Sequence, residues 1–241
     1  MNEKYIAVFD SGIGGLTVLE ELSSRMPYKN FIYISDSKNT PYGSLSTSTL
    51  LRLTLKSLSI LNSYNIEGLV LGCNTISVSL REKLQQHFNF PVFGVFPPVE
   101  SCLMKNQRIL LVATPKTISC FPEDKNLYKV GLPNLAKQIE DNALNLDKID
   151  LLKHIPNHLI KNNAFDRVIL GCTHYVLIKN KFFDHFCPQK VISGNHFTVN
   201  FVSKFYQGTK SLEKTYGNCV LFLGENAYKN QEVYYKVVKK H

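Results

Sequence analysis

The feature that most narrows what this chain can fold into is a segment that occurs twice. Leu69-Val70-Leu71-Gly72-Cys73-Asn74-Thr75 and Val168-Ile169-Leu170-Gly171-Cys172-Thr173-His174 share one plan: three apolar residues, a Gly-Cys pair, then two small or polar groups. Each reads as a buried strand that ends in a cysteine just as a helix begins. A fainter pairing sets Ile6-Ala7-Val8-Phe9-Asp10-Ser11 beside Leu110-Leu111-Val112-Ala113-Thr114-Pro115, again an apolar strand followed by oxygen-bearing side chains. The repeat points to duplication.

These segments sit in a wider alternation of short apolar runs and longer amphipathic ones. The pattern predicts strands at 5–9, 31–34, 68–71, 92–95, 109–113, 168–170, 190–192 and 219–223. Helical periodicity occupies 16–25, 50–61, 77–88, 178–185 and 225–239, with a long polar and helical middle at 135–160. That is the βαβ rhythm of a parallel sheet, so the expected class is α/β. In open parallel sheets ligands bind beyond the carboxyl ends of the strands, where Asp10, Cys73, Thr114 and Cys172 would all lie. Val95-Phe96-Pro97-Pro98 marks a boundary, because the prolines remove two amide donors and interrupt a regular element. The division expected is one lobe of residues 1–96 plus 208–241, carrying Cys73, and a second of residues 97–207, carrying Cys172. If the lobes face each other, so do the cysteines.

Composition excludes several alternatives. The 241 residues are 44% hydrophobic and 11% aromatic, enough for a substantial core, and no apolar run approaches the length of a membrane span. Met1-Asn2-Glu3-Lys4 leads straight into the first predicted strand with no signal-type segment, so the expected location is the cytoplasm. Six scattered cysteines without a CxxC pair predict reduced thiols and not a disulfide scaffold. The net charge of +9 comes mostly from lysines spread along the chain with no nucleic-acid motif, which argues against a nucleic-acid partner. A basic field still favours an anionic small-molecule substrate.

A single cysteine at a strand end is ordinarily a small buried hydrophobe. Two in matching contexts, each ahead of a helix N-terminus that favours a thiolate, point to chemistry. The reaction that uses two such thiols is α-proton exchange, one thiolate removing a proton from one face of a carbon while the other thiol delivers one to the opposite face. A free thiol is only a few per cent ionised at neutral pH, so a neighbour must assist, and Asp10 and His174 are the candidates. Ser11, Asn74, Thr75, Thr114, Thr117 and Thr173 offer neutral donors for an anionic substrate. Pro41-Tyr42-Gly43 is a turn whose amides suit a carboxylate. Asp10-Ser11-Gly12-Ile13-Gly14-Gly15-Leu16 lacks the GxGxxG spacing of a dinucleotide loop, so its glycines predict a tight turn and close packing. No His/Cys/Asp cluster has metal-ligand spacing.

Taken together, Asp10-Ser11-Gly12 with Gly14-Gly15-Leu16, Pro41-Tyr42-Gly43, Cys73-Asn74-Thr75, Pro91-Val92-Phe93-Gly94-Val95 and Gly171-Cys172-Thr173-His174-Tyr175 resemble the bacterial glutamate racemases. The resemblance runs in the family's order from residue 4 to about residue 195. It implies two pseudo-symmetric, doubly wound α/β lobes with parallel sheets and the site in the cleft between them. It implies no cofactor and no metal, glutamate as substrate, D-glutamate supplied to peptidoglycan synthesis, and a homodimer. By the same resemblance Cys73 acts on D-glutamate with Asp10 assisting, and Cys172 on L-glutamate with His174 assisting. Ser11, Tyr42, Gly43, Asn74, Thr75, Thr173 and His174 then form the substrate cradle with Asp10. The segment from Pro133 to Glu140 resembles one in the family that places a glutamate near the second cysteine. The chain departs from the family at Val176, at Phe96-Pro97-Pro98 and at Ile76, a larger side chain expected to narrow the pocket toward aspartate. Two other classes compete: a redox dithiol cycling through a Cys73–Cys172 disulfide, and a catalytically silent binding or regulatory relative.

Overall fold

Two all-parallel sheets organise the chain in the computed structural model, which describes residues 3–161, 164–207 and 219–239. In chain order the elements begin β1 (Tyr5–Asp10), α1 (Leu16–Arg25), β2 (Asn30–Ser35), α2 (Thr47–Leu58), β3 (Ile66–Leu71), α3 (Asn74–Gln85), β4 (Val92–Gly94) and α4 (Val99–Leu103). There follow β5 (Ile109–Ala113), α5 (Pro115–Ile118), β6 (Leu127–Gly131), α6 (Leu135–Asp141), α7 (Asn157–Lys161), β7 (Arg167–Gly171), α8 (Thr173–Leu177) and α9 (Lys179–Phe183). The chain closes with β8 (Val191–Ser193), α10 (Asn195–Gln207), β9 (Val220–Leu223) and α11 (Ala227–Val233).

The first sheet has the order β4-β3-β1-β2-β9 and the second β6-β5-β7-β8. Taken from its other edge, the second sheet repeats the first: β8-β7-β5-β6 answers to β4-β3-β1-β2. The equivalent pairs are β1 with β5 and β3 with β7, the same strands whose sequences echo one another.

Each central strand is covered on both faces, as parallel sheets require. In β1, Ile6 and Val8 join one core with Leu16 and Leu19, while Ala7 and Phe9 join another with Leu50, Leu58 and Leu80, following the two-residue period of a strand. In β5, Leu110 and Val112 enter the same core as Ile6 and Val8, whereas Ile109 and Leu111 pack with Val99 and Ile169. The inner faces of the two sheets therefore share one continuous apolar core, and this fixes how the strand ends meet.

Three stretches differ from the sequence expectation. The polar middle is not one helix: α6 stops at Asp141, and 3-10 turns at Leu146–Lys148 and Leu151–Lys153 precede α7. Asn142 turns its amide back onto the Gln138 carbonyl and Asp150 accepts from the Leu152 amide, so short polar side chains satisfy the backbone locally and end the helix. Edge strand β6 is not signalled by apolar alternation, because Tyr128 is exposed and Lys129 pairs with Glu123. The C-terminal stretch holds α11 followed by a π-helical turn, Tyr234–Val238, instead of one long helix.

Helix α10 packs against the first sheet. Asn195 Nδ2 donates to Thr17 Oγ1 at 2.9 Å, and Thr198 Oγ1 donates to the Gly94 carbonyl at 3.1 Å. The chain has thus come back to the first sheet before the boundary expected at residues 207–208; residue 208 and those up to 218 lie outside the described residues. Among the described residues no helix is long and apolar enough to cross a membrane.

Candidate active site

Both repeated cysteines occupy the same local position. Cys73 follows β3 after Gly72 and is the N-cap residue of α3; Cys172 directly follows β7 and is the N-cap residue of α8. An N-cap faces amide groups that have no intrahelical partner. Both side chains are buried and both thiols are free. They line one cleft between the sheets, together with Ser11, Pro41, Tyr42, Gly43, Asn74, Thr75, Thr114, Ala136 and His174. The cleft is closed, with a cavity of about 10 Å³. A more open groove of about 640 Å³ lies on the flank between α3, β4 and α10 and contains neither cysteine.

On the Cys73 side the partner is Asp10. Its Oδ1 accepts from the Gly12 amide at 2.9 Å and its Oδ2 from Thr173 Oγ1 at 2.9 Å, the latter reaching over from the second sheet. Burial pushes the Asp10 carboxyl up, with Glu140 adding to the rise and His174, Gly12 and Thr173 opposing it. Cys73 is pushed up to about 12, first by burial and then by the charge of Asp10, with the Ile76 amide and Ser11 working the other way. Ser11 Oγ lies 3.6 Å from the Cys73 sulfur. In the closed cleft Cys73 is therefore a protonated thiol at neutral pH.

The Cys172 side is built differently. His174 Nδ1 lies 4.0 Å from the Cys172 sulfur, and His174 Nε2 donates to Glu140 Oε2 at 2.9 Å. Burial alone would lower the imidazole, but its contacts with Cys172 and Glu140 outweigh that and raise it well above the ordinary histidine value. Glu140 shows the converse: burial opposes ionisation, yet His174, Lys229 and the Ile13 amide lower it to about 2. An imidazolium thus faces one sulfur while a neutral thiol stands at the other. This inequality is what a pair made of one acid and one base requires.

The glycine-rich turn after β1 brings the two sides together. A Cβ on Gly12 would collide with the Glu140 carboxylate, and one on Gly14 would sit 2.6 Å from the backbone nitrogen of His174. Only glycine permits this approach. The Tyr33 hydroxyl donates to the Gly12 carbonyl at 2.6 Å and holds the turn from below, and the Ile13 amide donates to Glu140 Oε2 at 2.8 Å.

All the residues singled out from sequence converge here, at two depths. Cys73, Cys172, His174, Ser11, Tyr42, Gly43, Asn74, Thr75 and Thr114 line the cleft itself. Asp10, Glu140, Thr173 and Thr117 stand behind it as partners. The Thr75, Thr114 and Thr117 hydroxyls lie within 3.0–3.1 Å of one another, closing a polar triangle across the interface. Tyr42 donates to Asp36 Oδ2 at 2.6 Å, and Asn74 Nδ2 to the Val95 carbonyl at 2.9 Å, so both are fixed. Ile76 corrects the sequence reading: it is fully buried in the first sheet's core and does not line the cleft, so it narrows nothing. Lys229, Tyr33 and Ala136 were not singled out, because their placement depends on how distant elements dock.

Two equivalent parallel sheets, each with a free cysteine just past the end of a central strand on one shared cleft, define an α/β protein of repeated architecture with its candidate site between the repeats. The sequence model of the Asp/Glu/hydantoin racemase family matches residues 32–202. The chain belongs to that family and is by class an isomerase. Among its relatives, glutamate racemase 2 of Bacillus subtilis is 33% identical over 250 residues, covering 95% of this chain and 91% of the relative. The glutamate racemase of Clostridium acetobutylicum is 32% identical over 208 residues, or 80% of each chain. A solved glutamate racemase isoform from Bacillus anthracis is similar in structure, with a TM-score of 0.74 at 25% identity over 96% of this chain and 93% of that one.

Proposed function

We propose that the chain is a cofactor-independent glutamate racemase that interconverts L- and D-glutamate by proton transfer between Cys172 and Cys73. The observation that carries this reading is the pair of free, helix-capping cysteines at the ends of equivalent strands, both opening on one cleft. In the L-to-D direction the Cys172 thiolate takes the α-proton and the Cys73 thiol delivers its own to the opposite face, leaving Cys172 protonated and Cys73 ionised. The reverse reaction exchanges the roles. His174 with Glu140 serves the Cys172 step, and Asp10 serves the Cys73 step. Ser11, Gly43, Asn74, Thr75, Thr114 and Thr173 supply neutral donors for the substrate carboxylates, with Tyr42 and Thr117 buttressing them. The two lobes are residues 1–96 with 208–241, and 97–207, with α10 seated on the first. The D-glutamate formed would serve peptidoglycan synthesis, as the family resemblance implies.

The closed cleft has room for about one water, so a glutamate enters only if the lobes part. The polar contacts that must yield include Thr173 to Asp10, Thr75 to Thr114, and Lys116 to Thr47 Oγ1. The test is incubation with L-glutamate in deuterated water without added cofactor. Decay of optical rotation to zero with deuterium at the α-carbon is expected. No exchange with glutamate would overturn the reading, and exchange with aspartate alone would move the substrate to the shorter acid.

A further inference from the structure

The C-terminal helix reaches the histidine side of the cleft. Its anchor is Asn230, which is fully buried and donates through Nδ2 to Ser35 Oγ at 2.9 Å, at the end of β2 where Ser35 is in register with Asp10. One turn further on, the Tyr234 hydroxyl donates to Glu20 Oε2 of α1 at 2.7 Å. With α11 fixed in this way, the neighbouring Lys229 crosses to α6 beside the second sheet. Its ammonium donates to Glu140 Oε1 at 2.8 Å and lies 3.3 Å from the Glu140 carbonyl oxygen. The other oxygen of the same carboxylate takes the His174 and Ile13 N–H groups. A continuous path thus runs from Lys229 through Glu140 and His174 to the Cys172 sulfur, starting on one lobe and ending on the other.

We propose that Lys229 is a positioning residue for proton transfer at Cys172, holding Glu140 on His174 so that the histidine is aligned only when the lobes are closed. The inference rests on the two-cysteine racemase reading above. A carboxylate with one oxygen saturated by two donors and the other bound to an ammonium has no freedom to turn. Without Lys229, Oε1 becomes a buried anionic oxygen lacking its partner, and Glu140 can rotate off the imidazole. The groups that act on Glu140 are His174 from α8, Lys229 from α11, and Asp10 and Tyr33 from β1 and β2. On α6 itself Lys137 pairs with Asp141, facing away from this path. Lys229 is the permanent cation among the groups touching Glu140, and an imidazole that loses its carboxylate partner gives up its proton more easily. Opening the lobes separates α11 from α6, which would loosen the histidine at the same moment that it admits substrate.

The test compares Lys229→Met and Lys229→Arg with the wild type in the full chain. Measured quantities are kcat and KM for both enantiomers against pH, melting temperature, and His174 titration followed by NMR with labelled histidine. Lys229→Met should lower kcat about tenfold, a part of the 10²–10⁴ that a positioned acid/base contributes. KM and melting temperature should change little. The pH profile and the His174 titration should both move to lower pH, because the imidazole loses its carboxylate partner, and Lys229→Arg should restore most of the rate. Wild-type kcat with an unmoved profile in Lys229→Met would overturn the proposal. So would equal losses of rate and melting temperature in both variants, which mark a structural role. The His174 titration needs no turnover: a wild type that fails to racemise glutamate sinks the substrate reading, whereas an unshifted His174 in Lys229→Met sinks this one.

Discussion

Replacing Glu140 by glutamine keeps the side chain's shape and removes its charge, so it isolates what the buried carboxylate contributes. Folding lowers that carboxyl from 4.5 to about 2, because the His174, Ile13 and Lys229 donors together outweigh the cost of burial. A drop of this size corresponds to about 3 kcal/mol of folding stability. The folded value lies below the unfolded one, so the stabilisation is fully present above pH 4.5 and fades as the pH falls through about 2. Glutamine stands in for the protonated acid. Glu140→Gln should therefore be about 3 kcal/mol less stable than wild type at pH 7, which is a urea midpoint lower by about 1 M at an unchanged slope. The gap should narrow as both proteins are taken toward pH 3. His174 loses the carboxylate that helps hold its proton, so it titrates lower and kcat falls by about 100-fold. Urea titrations at pH 7, 5 and 3 followed by circular dichroism, with rates on L-glutamate, measure all of this. Equal midpoints at pH 7, or a gap that persists undiminished at pH 3, would refute the reasoning.

Three further outcomes follow from the geometry. Gly14→Ala puts a methyl group 2.6 Å from the His174 backbone nitrogen, which cannot swing aside, so it should cost about 1–3 kcal/mol in urea denaturation and most of the activity. Tyr33→Phe leaves the buried Gly12 carbonyl without its donor and should destabilise by about 1–3 kcal/mol, read as a lower melting temperature. Cys73, held near pKa 12 and buried, should resist iodoacetamide at pH 8, while the exposed Cys120, Cys187 and Cys219 react quickly, as peptide mass spectrometry would show.

The strands that carry the site were readable in the sequence because the core strands of parallel sheets are uninterrupted apolar runs, and the Gly-Cys repeat ties β3 to β7. The fainter match of β1 with β5 is equally a statement about topology, since both occupy the same place in their sheets. The same duplication, carried one step further, would have located β6 as the counterpart of β2. Its own residues do not announce it, because an edge strand can turn Tyr128 to solvent and pair Lys129 with Glu123. Glu140 came only through family likeness: a glutamate on a seven-residue helix is ordinarily solvated, and nothing local says that three donors from three other elements converge on it. Lys229 had no signal at all, being one lysine among many until α11 docks. Ile76 misled because it directly follows Asn74 and Thr75, which line the cleft, whereas at the third position of α3 its own side chain is turned into the first sheet's core.

The account depends most on two sulfurs sharing one reaction, and the variants Cys73→Ala and Cys172→Ala test that directly. Polarimetry with L-glutamate, alongside circular dichroism to verify folding, should show each protein intact and each without net racemisation. Near-normal turnover by either one, with only a single cysteine left in the cleft, would contradict the two-base reaction.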